Sequence, residues 1–300
     1  MATRNGLIGV IATAIDMDVR VAARRSREAG FDGLAFDAFG PSVDLTSLTQ
    51  SGRREFRNVL GSQDQELISL NVDLEPAGFS PGADVDRSLA RVRAAMEAAA
   101  GLKAPLLTLE LSRLPRVNPI VTTPKPVNPE LVGLIIIPES KPAEPAAPPP
   151  PPPDPAFVSQ VQAALDIIGR DADRFGVVVA MRSGLSSFAS LEAALKSVSC
   201  SWFGVDLDPV AMLKDRWDAD EIFSTLGNMI CHVRARDAVI GDDTRSALTP
   251  VGHGKVPWGE LLASLRDSDY AGPITIDPAG LPNPSAAAAT GLSLLRQLQG

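Results

Sequence analysis

Eight strand-like runs recur along the chain at intervals that only a few folds accommodate. They are Leu7–Thr13, Gly33–Asp37, Leu67–Asp73, Leu106–Leu111, Val177–Arg182, Phe203–Asp208, Ile230–Ala235 and Pro273–Asp277, with helix-like segments between them. Their starts lie 26, 34, 39, 71, 26, 27 and 43 residues apart. The outlying gap of 71 contains a 43-residue stretch, Arg113 to Pro155, that holds 15 of the 26 prolines. Without that stretch the gap shrinks to 28 residues, and the remaining 257 residues carry 11 prolines. Evenly spaced βα units predict a parallel, right-handed (β/α)₈ TIM barrel, one domain over residues 1–300 with a proline-rich insertion after strand 4. A doubly wound open sheet is the competing arrangement. It lacks support, since no Gly-x-Gly-x-x-Gly follows the first strand and no Gly-Lys-Ser/Thr phosphate loop occurs.

Local signals place several helices. Asp18 to Ala29 carries a small apolar face and stops at Gly30. Asp84 caps a helix that runs to Ala100 and stops at Gly101. Asp154-Pro155 is an N-cap and first-turn pair for a helix with Phe157, Val158, Val161, Ala164, Leu165 and Ile168 on its buried stripe. Shorter helices are expected at Phe188–Ser197, Trp217–Leu226, Pro257–Arg266 and Ser285–Leu298. Within the insertion, residues 113–155, partial disorder is expected, and Pro148–Pro153 favours polyproline II. Its apolar run Leu131–Ile137 is expected to dock on the barrel, act as a lid or meet a protein partner, because seven apolar residues left in water invite aggregation.

Charge narrows the function classes. The formal net charge is −8, with no long basic run, so nucleic-acid binding is not expected. No apolar segment is long enough to span a bilayer, and a cytoplasmic location is expected. Cys200 and Cys231 are too few for a disulfide framework or a four-cysteine zinc site, and both read as buried thiols.

Five local strings, in order and spacing, resemble the xylose-isomerase-like TIM barrels, a superfamily of sugar (phosphate) isomerases and epimerases. They are Glu28-Ala-Gly-Phe-Asp-Gly-Leu, Gly204-Val-Asp-Leu-Asp-Pro, His232-Val-Arg-Ala-Arg-Asp237, Gly252-His-Gly-Lys-Val-Pro-Trp258 and Tyr270-Ala-Gly-Pro-Ile-Thr-Ile-Asp277. The resemblance implies a divalent metal at the C-terminal mouth, held by Glu, Asp, His and Glu from strands 5, 6, 7 and 8. This chain has Arg182, Asp208, Arg234 and Asp277 at those places, and Ala211-Met212 where a further His is expected. A guanidinium is always protonated and has no acceptor, so it cannot ligate a cation. The expectation is therefore a barrel in carbohydrate metabolism that holds no metal and needs no cofactor.

Side chains alternate along a barrel strand, which groups Asp206 with Asp208, and His232 with Arg234 and Arg236. Asp37, Asn71, Asp73, Glu110, Arg182 and Asp277 share the inward parity near their strand ends. Arg182 and Arg234 are expected to pair with Asp208 and Asp277. Three readings stay open: a salt-bridged plug in a non-catalytic binding or scaffold barrel; an anion site for a sugar phosphate or carboxylate, using the arginines with His253, Lys255 and Arg236; and metal-free proton transfer with Glu110 or Asp208 as base. His232 reads as a satisfied core histidine, and Trp258 as a helix-start anchor.

Overall fold

In a computed structural model of the chain, the described residues are 6–117, 152–240 and 246–299. Eight strands close into one parallel barrel: β1 (Ile8–Ile11), β2 (Gly33–Asp37), β3 (Glu66–Asp73), β4 (Leu106–Glu110), β5 (Val178–Arg182), β6 (Phe203–Leu207), β7 (Ile230–Ala235) and β10 (Ile274–Ile276). Each pairs with its sequence neighbour, and β10 returns to β1 through Ile8↔Ile274. The expected barrel is therefore the observed one, with every strand located to within two residues. Between β7 and β10 lies an antiparallel hairpin, β8 (Asp237–Ile240) and β9 (Ser246–Thr249). The sequence reading had no such element.

Nine helices among the described residues pack outside the barrel: α1 (Val19–Ala29), α2 (Gln50–Gly61), α3 (Val85–Leu102), α4 (Pro155–Phe175), α5 (Phe188–Lys196), α6 (Pro209–Asp215), α7 (Ala219–Leu226), α8 (Trp258–Asp267) and α9 (Pro284–Gln299). Their starts follow capping chemistry. The carboxylates of Asp18, Asp84, Asp154 and Asp218 each accept a backbone N–H of the first turn, which satisfies donors that the helix itself leaves unpaired. Gly30 and Gly176 end α1 and α4 with positive φ. Gly101 does not end α3, contrary to expectation; the helix continues to Leu102, and Lys103 takes the left-handed position at φ 59°. The unforeseen α2 buries only Phe56, Val59 and Leu60.

The core has two parts. One continuous cluster lies between strands and helices, while Ile11, Ala35 and Ile68 form a small separate plug. That plug needs glycine beside it: a Cβ on Gly33 would come within 2.4 Å of the Glu66 carbonyl oxygen. Above the plug the buried layer turns polar, with Ser69, Asn71, Thr108, Asp206, His232, Arg234 and Thr275 all under 9% exposed. The segment after β4 emerges beside this layer and is stitched down: Leu114 N donates to Ser186 Oγ (2.7 Å) and Val117 N to Ser190 Oγ (3.3 Å). Leu131–Ile137 and four of the six prolines of the polyproline run lie outside the described residues.

Candidate functional site: a guanidinium–carboxylate lattice at the barrel mouth

The C-terminal ends of seven barrel strands meet in one ion-pair lattice. Asp206, fully buried on β6, is its hub. Its Oδ1 accepts from His232 Nδ1 (2.5 Å), and its Oδ2 accepts from Arg234 Nε (3.1 Å). An ionised carboxylate only accepts, so Nδ1 of His232 carries the proton. Nε2 of His232 meets Thr275 Oγ1 at 2.8 Å, completing the ring's partners on β10. His232 is thus a satisfied interior histidine, as expected.

Arg234 extends the lattice in three directions. Besides Asp206 it donates through Nη1 to Asp277 (3.0 Å) and through Nη2 to Thr108 Oγ1 (3.1 Å). Thr108 passes the chain on to Asn71 Oδ1 (2.6 Å), and Asn71 Nδ2 donates to Asp37 (3.4 Å). Arg182 forms the second junction. Its Nη1 donates to Glu110 (3.1 Å) and its Nη2 to Asp73 (3.0 Å), while its Nε lies 3.6 Å from Asp206 Oδ2, beyond good hydrogen-bond range.

Asp208 departs from the expected pairing. It bonds neither Arg182 nor Arg234; its Oδ2 accepts from Arg236 Nη1 (3.1 Å), and its Oδ1 caps α6 through Val210 N (2.9 Å). The register explains this: Asp206 faces His232 and Leu207 faces Val233, and each arginine reaches back one inward step, Arg234 to Asp206 and Arg236 to Asp208. The Arg234–Asp277 pair is as expected. His253 and Lys255 lie on the exposed loop after β9, away from the lattice's bonds among the described residues.

Burial and charge set the protonation states. For Asp206, burial alone would favour the neutral acid, but Arg234, His232 and Arg182 outweigh it and hold the carboxyl far below its ordinary range. Asp277 is likewise depressed, burial being overcome by Arg234 and Arg236. Burial, opposed by the charges of Asp206 and Asp277, leaves Arg234 more firmly protonated than a free arginine. Glu110 shifts the other way. Burial raises it despite the Arg182 charge and the backbone donor Gly184, whose N–H reaches Oε1 at 2.8 Å. Asp37 is raised too, by burial ahead of Asn71's opposing hydrogen bond. Cys231 is partly rather than fully buried, and burial with the nearby Asp206 pushes its thiol up to about 12, so it is a poor nucleophile at neutral pH.

A second polar centre went unread in the sequence. Asp237, the first residue of β8, accepts four donors: its own neighbour Ala238 N, Val256 N (3.1 Å), Gly252 N (2.9 Å) and Trp258 Nε1 (3.1 Å). It therefore holds the loop that carries His253 and Lys255 against the start of α8. Gly254 fits only because it has no side chain, since a Cβ there would stand 2.0 Å from Asp237 Oδ1. Thr108 and Thr275 were also missed; in sequence they are ordinary strand residues. Among the described residues, no group of three or more His, Cys, Asp or Glu side chains is arranged to hold a metal ion. The space left beside Arg182, Asp206 and Asp208 is about 10 Å³, the size of one water.

Comparison with known proteins follows the same lines. Residues 23–298 match the family model described as "Xylose isomerase-like TIM barrel". No curated protein sequence matches the chain. Among solved structures, a xylose isomerase domain protein from Planctomyces limnophilus superposes with a TM-score of 0.72 at 15% identity, covering 98% of this chain and 97% of that one. D-psicose 3-epimerase from Clostridium cellulolyticum H10, crystallised with D-tagatose, gives 0.67 at 14% identity over 97% and 98%. A 3-keto-D-glucoside 4-epimerase from E. coli gives 0.66 at 16% identity over 97% and 99%. These likenesses establish the shared fold.

Proposed function

Because the chain belongs to the xylose isomerase-like TIM barrel family, we propose that it binds a small sugar-like hydroxycarbonyl compound at this mouth and acts on it, as an isomerase or epimerase, without a divalent metal. The solved neighbours named as epimerases support the substrate class. The observation that carries the metal-free reading is Arg234, 3% exposed, with its guanidinium bonded to both Asp206 and Asp277. A cation placed between those carboxylates would face a permanent positive charge, so the residues present do not fit the family's metal.

In this reading Glu110 exchanges the proton on the carbon next to the substrate carbonyl. Its raised pKa brings it nearer the working pH of a general base. Arg182, bonded to Glu110 Oε2, supplies the fixed positive charge toward which negative charge develops. Glu110→Gln is expected to slow solvent-deuterium exchange into D-tagatose or D-fructose by about 10²-fold or more while ketose binding changes little. Metal analysis of the purified protein provides the parallel check. Stoichiometric Mn²⁺ or Mg²⁺, with exchange lost on chelation, would sink the metal-free reading.

A non-catalytic binding or scaffold barrel is the second reading, and one observation favours it. Both Glu110 oxygens are already engaged, Oε1 by two backbone N–H groups and Oε2 by Arg182. Ketose binding without any deuterium exchange would select it.

A further inference from the structure

An anion has no good place in the lattice itself. Arg182 and Arg234 stand among five carboxyl groups, those of Asp37, Asp73, Glu110, Asp206 and Asp277, and four of their N–H directions are spent on them. A group of cations also lies to one side of the lattice. A cleft of about 560 Å³ opens between the segment after β4, the β5–α5 loop and α6. Arg113, Arg116 and Lys214 line it, with Asp215 the single carboxylate among the described residues, in a protein whose net charge is −8.

We propose that this cleft is a binding subsite for a phosphoryl-type dianion carried by the small molecule that occupies the mouth. Three features besides charge support it. The segment bearing Arg113 and Arg116 is fixed by Leu114 N and Val117 N bonding to Ser186 and Ser190, so the backbone that carries the two arginines is anchored beside the cleft. Asp215 is partly engaged elsewhere, its Oδ2 accepting from Phe188 N (2.6 Å), and of the three cleft cations Lys214 alone acts on its charge. Gly184, Ser186, Ser187 and Ala211 line both this cleft and the small space beside Arg182 and Asp208, so the cleft opens directly beside the lattice. Guanidinium and ammonium groups converging with hydroxyls are the usual recognition chemistry for phosphate oxygens.

The inference deepens the sugar reading above and is tested so that the two can fail separately. Calorimetry on the full-length protein compares inorganic phosphate, D-fructose 6-phosphate and D-fructose. Expected is tighter binding of the phosphorylated ketose than of D-fructose, weakening with added salt. R113A/R116A and Lys214→Glu should each weaken inorganic phosphate and the phosphorylated ketose by about tenfold or more. Arg24→Ala, an exposed cation on α1, should change neither. All the substituted side chains are exposed, so melting temperatures close to wild type should accompany these effects. If D-fructose and its 6-phosphate bind equally, or if the cleft variants bind phosphate as wild type does, the subsite falls while the sugar reading stands. Phosphate binding that depends on the cleft without any ketose binding supports the subsite and removes the sugar reading. Binding of none of the three removes both.

Discussion

Asp206 shows how a single residue can govern an interior of this kind. It is fully buried and ionised, and its two oxygens hold His232 and Arg234 in place. Asp206→Asn leaves Arg234 without a full counter-charge and puts an amide donor against one of two donors, and it is expected to cost about 3–5 kcal/mol at pH 7. The pH dependence follows from the direction of the shift. Asp206 and Asp277 both ionise below the ordinary 3.8, so their stabilisation is complete above that pH and is lost as pH falls through their depressed values. Urea unfolding at pH 7 and pH 3 should show the gap between wild type and Asp206→Asn narrowing at the lower pH; an equal gap at both would contradict an ionised hub. Glu110 runs opposite: its raised pKa favours the acid form, so its contribution is fullest below 4.5 and declines as pH rises through the raised value. Parity placed all these side chains at the mouth, but of their pairings only Arg234–Asp277 was expected. Arg234 and Arg236 are equivalent in sequence terms, and only their height along the barrel axis separates a partner in Asp206 from one in Asp208.

Elements were legible in proportion to their periodicity. The barrel strands stand out as apolar runs because both of their faces are covered, inside by the barrel's interior and outside by helices. The polar residues that break those runs, Asn71, Thr108, Asp206, His232, Arg234 and Thr275, are all members of the lattice. The α2 helix was silent, since Phe56, Val59 and Leu60 are its only buried residues in an otherwise charged string. The β8–β9 hairpin was hidden for another reason: it begins at Asp237, almost without a break from β7, and no turn signal marks the change of sheet. Asp237 is what makes this element cohere with the loop beyond it. Asp237→Asn sets an amide N–H₂ against backbone and indole donors, with an expected loss of about 3 kcal/mol. Hydrogen exchange should quicken at Gly252 and Val256 before it does in β7; unchanged protection there would rule out the anchoring role.

At the scale of the whole molecule, the proline-rich insertion lies between β4 and β5, where the barrel divides into two halves of four strands. The described residues close the barrel by themselves, since β4 pairs with β5 from Leu106↔Val178 to Glu110↔Arg182. Replacing 118–151 by a Gly/Ser linker of about ten residues should therefore leave a cooperative unfolding transition within a few degrees of wild type, read by circular dichroism. Loss of cooperative folding would show that the insertion belongs to the core. The lattice gives that midpoint a further meaning. Every cation in it, Arg182, Arg234 and Arg236, comes from the second half, whereas the first half contributes Asp37, Asp73 and Glu110. A first half folding by itself would carry an uncompensated acidic rim. Closure of the ring is then partly a neutralisation: Arg182, at the opening of the second half, crosses the seam to Asp73 and Glu110, while Arg234 and Arg236 balance Asp206, Asp277 and Asp208 of their own half.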